Sequence, residues 1–138
     1  MWNLFVTSEY LRAFELDGME TSHAIEVDVK TSGEAEEMFD AISYCKGACV
    51  IRMLQEYVGD ETFRQALVKY LSNFRYANTV TADLWDYLSK EKGVQISPIM
   101  DRWIKEQGFP LISATRSGDK LTLTQTRYLS SETSMKKQ

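Results

Sequence analysis

Tyr44, Lys46 and Gly47 stand together in the stretch FDAISYCKGACVIRMLQEYVGD, residues Phe39 to Asp60. From Ser43 onward the stretch patterns as a buried helix, and a plain apolar helix needs neither a phenol nor a cation nor a glycine in its first turn. With Ser43 as N-cap, Tyr44 falls at the edge of the apolar arc near Ile51, in the turn where backbone N–H groups have no helical partner. A phenol ionises near pH 10, so at neutral pH it is a hydrogen-bond donor. Held by a rigid helix, it can aim that O–H at an oxygen on which negative charge develops. Gly47, one turn on, lets a second backbone or a substrate come close. The plainer alternative, which pattern alone favours, is a core tyrosine whose hydroxyl finds a partner nearby.

The other familiar constellations are missing from the sequence. It has no Gly-rich phosphate loop, no GxSxG elbow and no CxxC, and with His23 its only histidine it cannot contain HExxH. His23, in ETSHAIEV, reads as a local hydrogen-bonding residue rather than a ligand. Cys45 and Cys49, four apart on one helix, do not meet disulfide geometry. Without further ligands for a metal site they read as small buried hydrophobes in a reducing compartment. The 20 Asp and Glu residues fall on helix caps and polar faces, where solvation accounts for them. A net charge of −4 with no basic stripe argues against nucleic acid or anionic membrane as the main partner. No apolar run approaches a membrane span. The opening MWNLFVTSEYLRAFELD contains Glu9, Arg12 and Glu15 and lacks a basic lead-in, so it does not read as a signal peptide. The expected location is cytoplasmic, with a membrane-tethered parent left open.

The elements that must position Tyr44 follow from periodicity. The chain's 138 residues suffice for one ordinary domain. Trp2, Phe5, Val6, Tyr10, Ala13 and Phe14 repeat at helical spacing and predict a helix ending near Asp17-Gly18. AIEVDVK alternates and predicts a short half-exposed strand or extended arm, and SGEAEEMF a turn of helix. In the helix that carries Tyr44, the expected apolar arc is Gly47, Val50, Ile51, Leu54, Tyr57 and Val58, with Arg52, Gln55 and Glu56 polar. Gly59 should end it and Asp60 cap the next. Phe63, Ala66, Leu67, Tyr70, Leu71 and Phe74 give the clearest amphipathic stripe. Thr81 should cap a helix bearing Leu84, Trp85 and Leu88, stopped by Gly93. Ser97-Pro98 should open a last helix with Ile99, Met100, Trp103 and Ile104, ended by Gly108 and Pro110. LISATR and LTLTQTRYL, joined by Ser117-Gly118-Asp119-Lys120, read as a hairpin, followed by the polar, turn-like SSETSMKKQ. Two strands after several helices suggest a cut through a larger protein.

The segment FDAISYCKGACVIRMLQEYVGDETF closely resembles the zinc aminopeptidases of the puromycin-sensitive and alanyl (aminopeptidase N) group. So, in order and spacing, do WNLFV, SHAIEVDV, YxKGA, Phe63 to Tyr70, TADLW and MDRWIKEQGFPLI, from about Trp2 to about Tyr128. The resemblance implies a mainly α fold. Residues 1–109 would be the helical C-terminal subdomain of a thermolysin-like catalytic domain, and residues 110–138 a β-hairpin beginning a β-sandwich. It implies peptide substrates cleaved at their N-terminal residue, a catalytic zinc held by HExxH and a distant Glu, and Tyr44 as the catalytic residue that hydrogen-bonds the tetrahedral intermediate. Lys46 and Gly47 would be structural. The family's usual SHPI is Ser22-His23-Ala24-Ile25 here, which relaxes the backbone without touching the chemistry. The zinc ligands and the loop that reads the substrate amine would precede Trp2, so no metal ligand is expected in this chain. The expectation is a fragment, inactive by itself, whose natural partner is the missing N-terminal half of the catalytic domain and which self-associates without it. The alternative is a non-catalytic helical interaction module derived from the same family.

Overall fold

The computed structural model describes residues 2–131. From residue 132 on, the SSETSMKKQ segment lies outside the described residues. The chain opens on α1 (Trp2–Phe5), continues through a π turn (Val6–Tyr10) into α2 (Leu11–Asp17), and after a loop forms α3 (Ser32–Glu37). A second π turn (Ile42–Lys46) leads directly into α4 (Gly47–Val58). Then come α5 (Asp60–Asn73), α6 (Thr81–Lys92), α7 (Ser97–Lys105) and the strands β1 (Pro110–Ser117) and β2 (Lys120–Arg127). The described residues are therefore mainly helical with a terminal β-hairpin, as the sequence predicts.

The core lies where α4, α5, α6 and α7 converge. Val50, Leu54 and Val58 from α4 meet Ala66 from α5, Trp85 and Leu88 from α6, and Ile96, Met100 and Ile104 at α7. Each fully buried aliphatic side chain of this kind contributes about 1.5–3 kcal/mol, enough to make α4 a fixed rod. Its apolar arc is narrower than the periodicity predicts, because Ile51 and Tyr57 face outward. Along α5 only Ala66 is fully buried and Leu71 is exposed, since α5 packs on α4 and α6 and leaves its third side uncovered. Arg52, expected on a polar face, instead places its guanidinium 4.2 Å from the centre of the Trp2 ring and 5.5 Å from that of Phe5. This cation–π contact ties α1 to α4.

Three helix starts differ from expectation. Gly59, at φ +93°, ends α4 as predicted, but α5 begins at Asp60 itself, whose carboxylate accepts from Gln55 Nε2 at 3.0 Å rather than capping. Thr81 opens α6 without capping it, while the Asp83 carboxylate accepts the Val80 N–H at 2.9 Å. Ser97 is likewise the first helical residue of α7, with Pro98 in the first turn. The extended reading of AIEVDVK holds as an arm. Its tie to the helices is the Glu26 N–H donated to the Ile104 carbonyl at 2.8 Å, with Ile25 packed on the core.

Strands β1 and β2 pair antiparallel from Pro110↔Arg127 to Ser117↔Lys120, leaving Gly118-Asp119 as a two-residue loop. Gly118 has φ +60° and Asp119 is not among the positive-φ residues, the pattern of a II′ turn. The hairpin is anchored at its base. Phe109 stacks on Tyr128 at 5.0 Å and meets Phe14 at 4.9 Å, and the Ser130 N–H donates to the Gly18 carbonyl at 2.8 Å.

Candidate functional site

Tyr44 sits in the second π turn, and that wider turn decides where it points. The Gly47 N–H reaches back to the Ile42 carbonyl as well as to that of Tyr44. The extra residue shifts the helical phase, so that Ile42, Cys45 and Lys46 are buried while Tyr44 is 62% exposed. Among the described residues Tyr44 is not a core tyrosine: the ring projects from the rod instead of packing within it. Ser43 is not the N-cap. The Asp40 carboxylate takes the Ser43 N–H at 2.9 Å, and the Asp40 carbonyl takes the Tyr44 N–H at 3.1 Å. π turns of this kind recur at functional sites, because they re-aim one side chain without breaking the helix.

Beneath Tyr44, Lys46 runs inward to a buried ion pair. Its Nζ lies 2.9 Å from Asp17 Oδ2, with the two side chains 5% and 2% exposed. It also donates to the Gly108 carbonyl at 2.9 Å and to that of Glu106 at 3.4 Å. The other Asp17 oxygen accepts from Ser22 Oγ at 2.5 Å and from the Gly108 N–H at 3.1 Å. A buried pair is tolerable only when its remaining protons and lone pairs are satisfied in this way. The network locks α2, the π turn and the loop after α7 to one another, a structural role of the kind the family resemblance implies for Lys46. Gly47, by contrast, has open space around its Cα, so a close approach from outside is possible there.

His23 sits beside this assembly with Nε2 2.7 Å from Asp40 Oδ2 and Nδ1 2.8 Å from the Ala24 carbonyl oxygen. It is a local hydrogen-bonding residue, as expected. Burial works against its charge. The Ala24 carbonyl and the Asp40 carboxylate outweigh burial and raise its pKa above the ordinary value. Burial would also raise Asp40, but the Ser43 N–H and His23 hold it below the usual carboxylate range.

Burial pushes Cys49 up to about 11 and raises Cys45 as well, so neither is a ready thiolate. Among the described residues no group of three His, Cys, Asp or Glu side chains is arranged to hold a metal ion, and the lone histidine is already engaged on both nitrogens. These residues do not fit a zinc ion. Among them, too, no helix is long and apolar enough to cross a membrane.

Two features escape sequence reasoning. Asp17, just before Gly18, looks like an ordinary helix terminus, and nothing local marks it as the partner of Lys46. Asp40 does carry a signal: a capping residue type three positions ahead of the N–H it binds.

Comparison with known proteins bears on the whole assembly. Residues 1–103 match the model of the peptidase family M1 domain. Alanine/arginine aminopeptidase of Saccharomyces cerevisiae is 43% identical over 94% of the chain. Leucyl aminopeptidase of Saccharolobus solfataricus is 44% identical over 92%, and aminopeptidase M1 of Arabidopsis thaliana 46% identical over 95%. The chain spans 15–16% of the length of these relatives. A match over most of the described helices, joined to this level of identity across nearly all of the sequence, means that the chain belongs to peptidase family M1.

Proposed function

We propose that this chain is part of a zinc-dependent aminopeptidase, a hydrolase that removes N-terminal residues from peptides, and that Tyr44 is its contribution to catalysis. The observation that carries the reading is the exposed phenol on a π turn whose two neighbouring residues, Cys45 and Lys46, are buried. Such a donor can meet an oxyanion without reorganising, and only charge that develops in the transition state rewards it. The relatives' names, which are those of aminopeptidases, support the substrate class. In this reading zinc would activate the water, held by ligands outside the described residues. What this chain supplies is a fixed wall of the cleft and one hydrogen bond. Residues 1–109 would then be the helical part of the catalytic domain, and residues 110–138 the opening of a β-sandwich. The chain by itself would bind no catalytic zinc and hydrolyse no aminoacyl substrate.

The deciding experiment is Tyr44→Phe in the full-length protein. Turnover should fall by a factor of ~10²–10³ with KM little changed. Near-normal turnover would remove Tyr44 from the chemistry. Stoichiometric zinc with peptidase activity in the 138-residue chain alone would overturn the division of labour.

A further inference from the structure

The turn that carries Tyr44 is held from outside the helix by Asp40. One carboxylate oxygen accepts the Ser43 N–H at 2.9 Å, the backbone carbonyl accepts the Tyr44 N–H at 3.1 Å, and the second carboxylate oxygen meets His23 Nε2 at 2.7 Å. His23 Nδ1 lies 2.8 Å from the Ala24 carbonyl oxygen. A carboxylate and a carbonyl are both acceptors, so each ring nitrogen must carry a proton for both contacts to be bonds. With Asp40 ionised, both contacts are hydrogen bonds only for an imidazolium. A neutral ring would set a lone pair against one of the two oxygens.

We propose that His23 and Asp40 form a positioning pair for Tyr44. The imidazolium fixes the Asp40 carboxylate, which holds the Ser43 N–H, while the Asp40 backbone carbonyl holds the Tyr44 N–H, and together they fix the direction of the phenol. The proposal rests on the reading of Tyr44 as the transition-state donor. Neither residue touches substrate in this scheme; both act through the turn.

The charges facing the imidazole are Asp40 before the turn and Asp17 at the end of α2, and Asp17 is already met by Lys46 at 2.9 Å. The directions of titration agree with the geometry. His23 is raised, so its contribution is complete below an ordinary histidine value of about 6.5 and is lost as pH climbs through the folded value. Asp40 is lowered, so its part is complete above the ordinary carboxylate range and is lost only as pH drops through the folded value. The pair is intact between those two folded values.

Two experiments test this. In nitrogen-15 NMR of the chain, both His23 ring nitrogens should be protonated at about pH 6.5, and the Ser43 amide should shift along the same titration curve. A neutral His23 at that pH, or an indifferent Ser43 amide, overturns the pair. In the full-length protein, His23→Ala should lower kcat roughly tenfold with KM changed less than about twofold. His23→Gln, which keeps one N–H for Asp40, should recover a large part. In a Tyr44→Phe background, His23→Ala should cost nothing more; multiplying losses would mean that His23 acts elsewhere and would sink the proposal. If Tyr44→Phe alone leaves turnover near normal, the reading of Tyr44 fails and takes the pair's role with it. A large Tyr44→Phe loss beside a silent His23→Ala refutes only the pair.

Discussion

Lys46 carries a full charge into the interior and finds there one carboxylate and two carbonyls. Removing it leaves Asp17 buried without a counter-charge. Lys46→Met should therefore lower stability by about 3–5 kcal/mol, read as a shift of the denaturant midpoint. Replacing both members, Lys46→Met with Asp17→Leu, should recover most of that loss, because no orphaned charge remains. Equal losses in the single and double variants would show that packing, and not charge, holds this point. The single site residue singled out from sequence, Tyr44, stands out through the family resemblance, because pattern alone favours a core tyrosine at that place. Its partners stand out less. Asp40 shows a capping signal, whereas Asp17 resembles every helix-ending Asp-Gly, and its role depends on a residue that only the tertiary fold brings to it.

At the scale of elements, the helices and the hairpin follow from period and turn chemistry, and the surprises lie at their joints. A strict 3.6-residue period cannot announce a π turn, because the added residue leaves the residue types unchanged and alters only their phase. That is why Tyr44 sits at the edge of an apolar arc on paper and well out of it in the fold. The joint after α7 is equally particular. Gly108 has φ +82°, and a Cβ there would lie 2.4 Å from Arg127 Nε, while Arg127 Nη2 donates to the Met19 carbonyl at 2.7 Å. Gly108→Ala should destabilise by about 1–3 kcal/mol, with a clear drop in the thermal midpoint. Gly118→Ala, at φ +60° but in open space, should cost only about 1–2 kcal/mol, since it meets backbone strain alone. If the two variants melt together, the crowding around Arg127 is immaterial. The three misread helix starts share one cause: a polar residue near a helix end is legible as a cap, but which neighbour takes which N–H is settled by side-chain geometry.

At the largest scale, the described residues leave much apolar surface uncovered. Trp2, Leu4, Leu11 and Phe14 are exposed on the opening helices, and Leu111, Ile112, Leu121 and Leu123 on the hairpin, whose two edges pair with no further strand among the described residues. Patches and free edges of this kind drive association. The chain should dimerise with rising concentration in sedimentation velocity, and a clean monomer at high concentration would count against that. The same surface is where the rest of an M1 peptidase would lie on the proposed reading. Composition does not reveal it, because the stripes that sequence marks as buried are only half covered here.

One consequence of the Asp17 network concerns time. Its carboxylate and the adjoining loop wait for partners at Lys46 and Gly108, and Gly18 and Met19 wait for Ser130 and Arg127. Contacts so far apart along the chain close late and slow folding. On the ribosome α2 emerges with its terminal carboxylate still hydrated, and the loop that follows it gains its full set of partners only after Ser130 has cleared the exit tunnel.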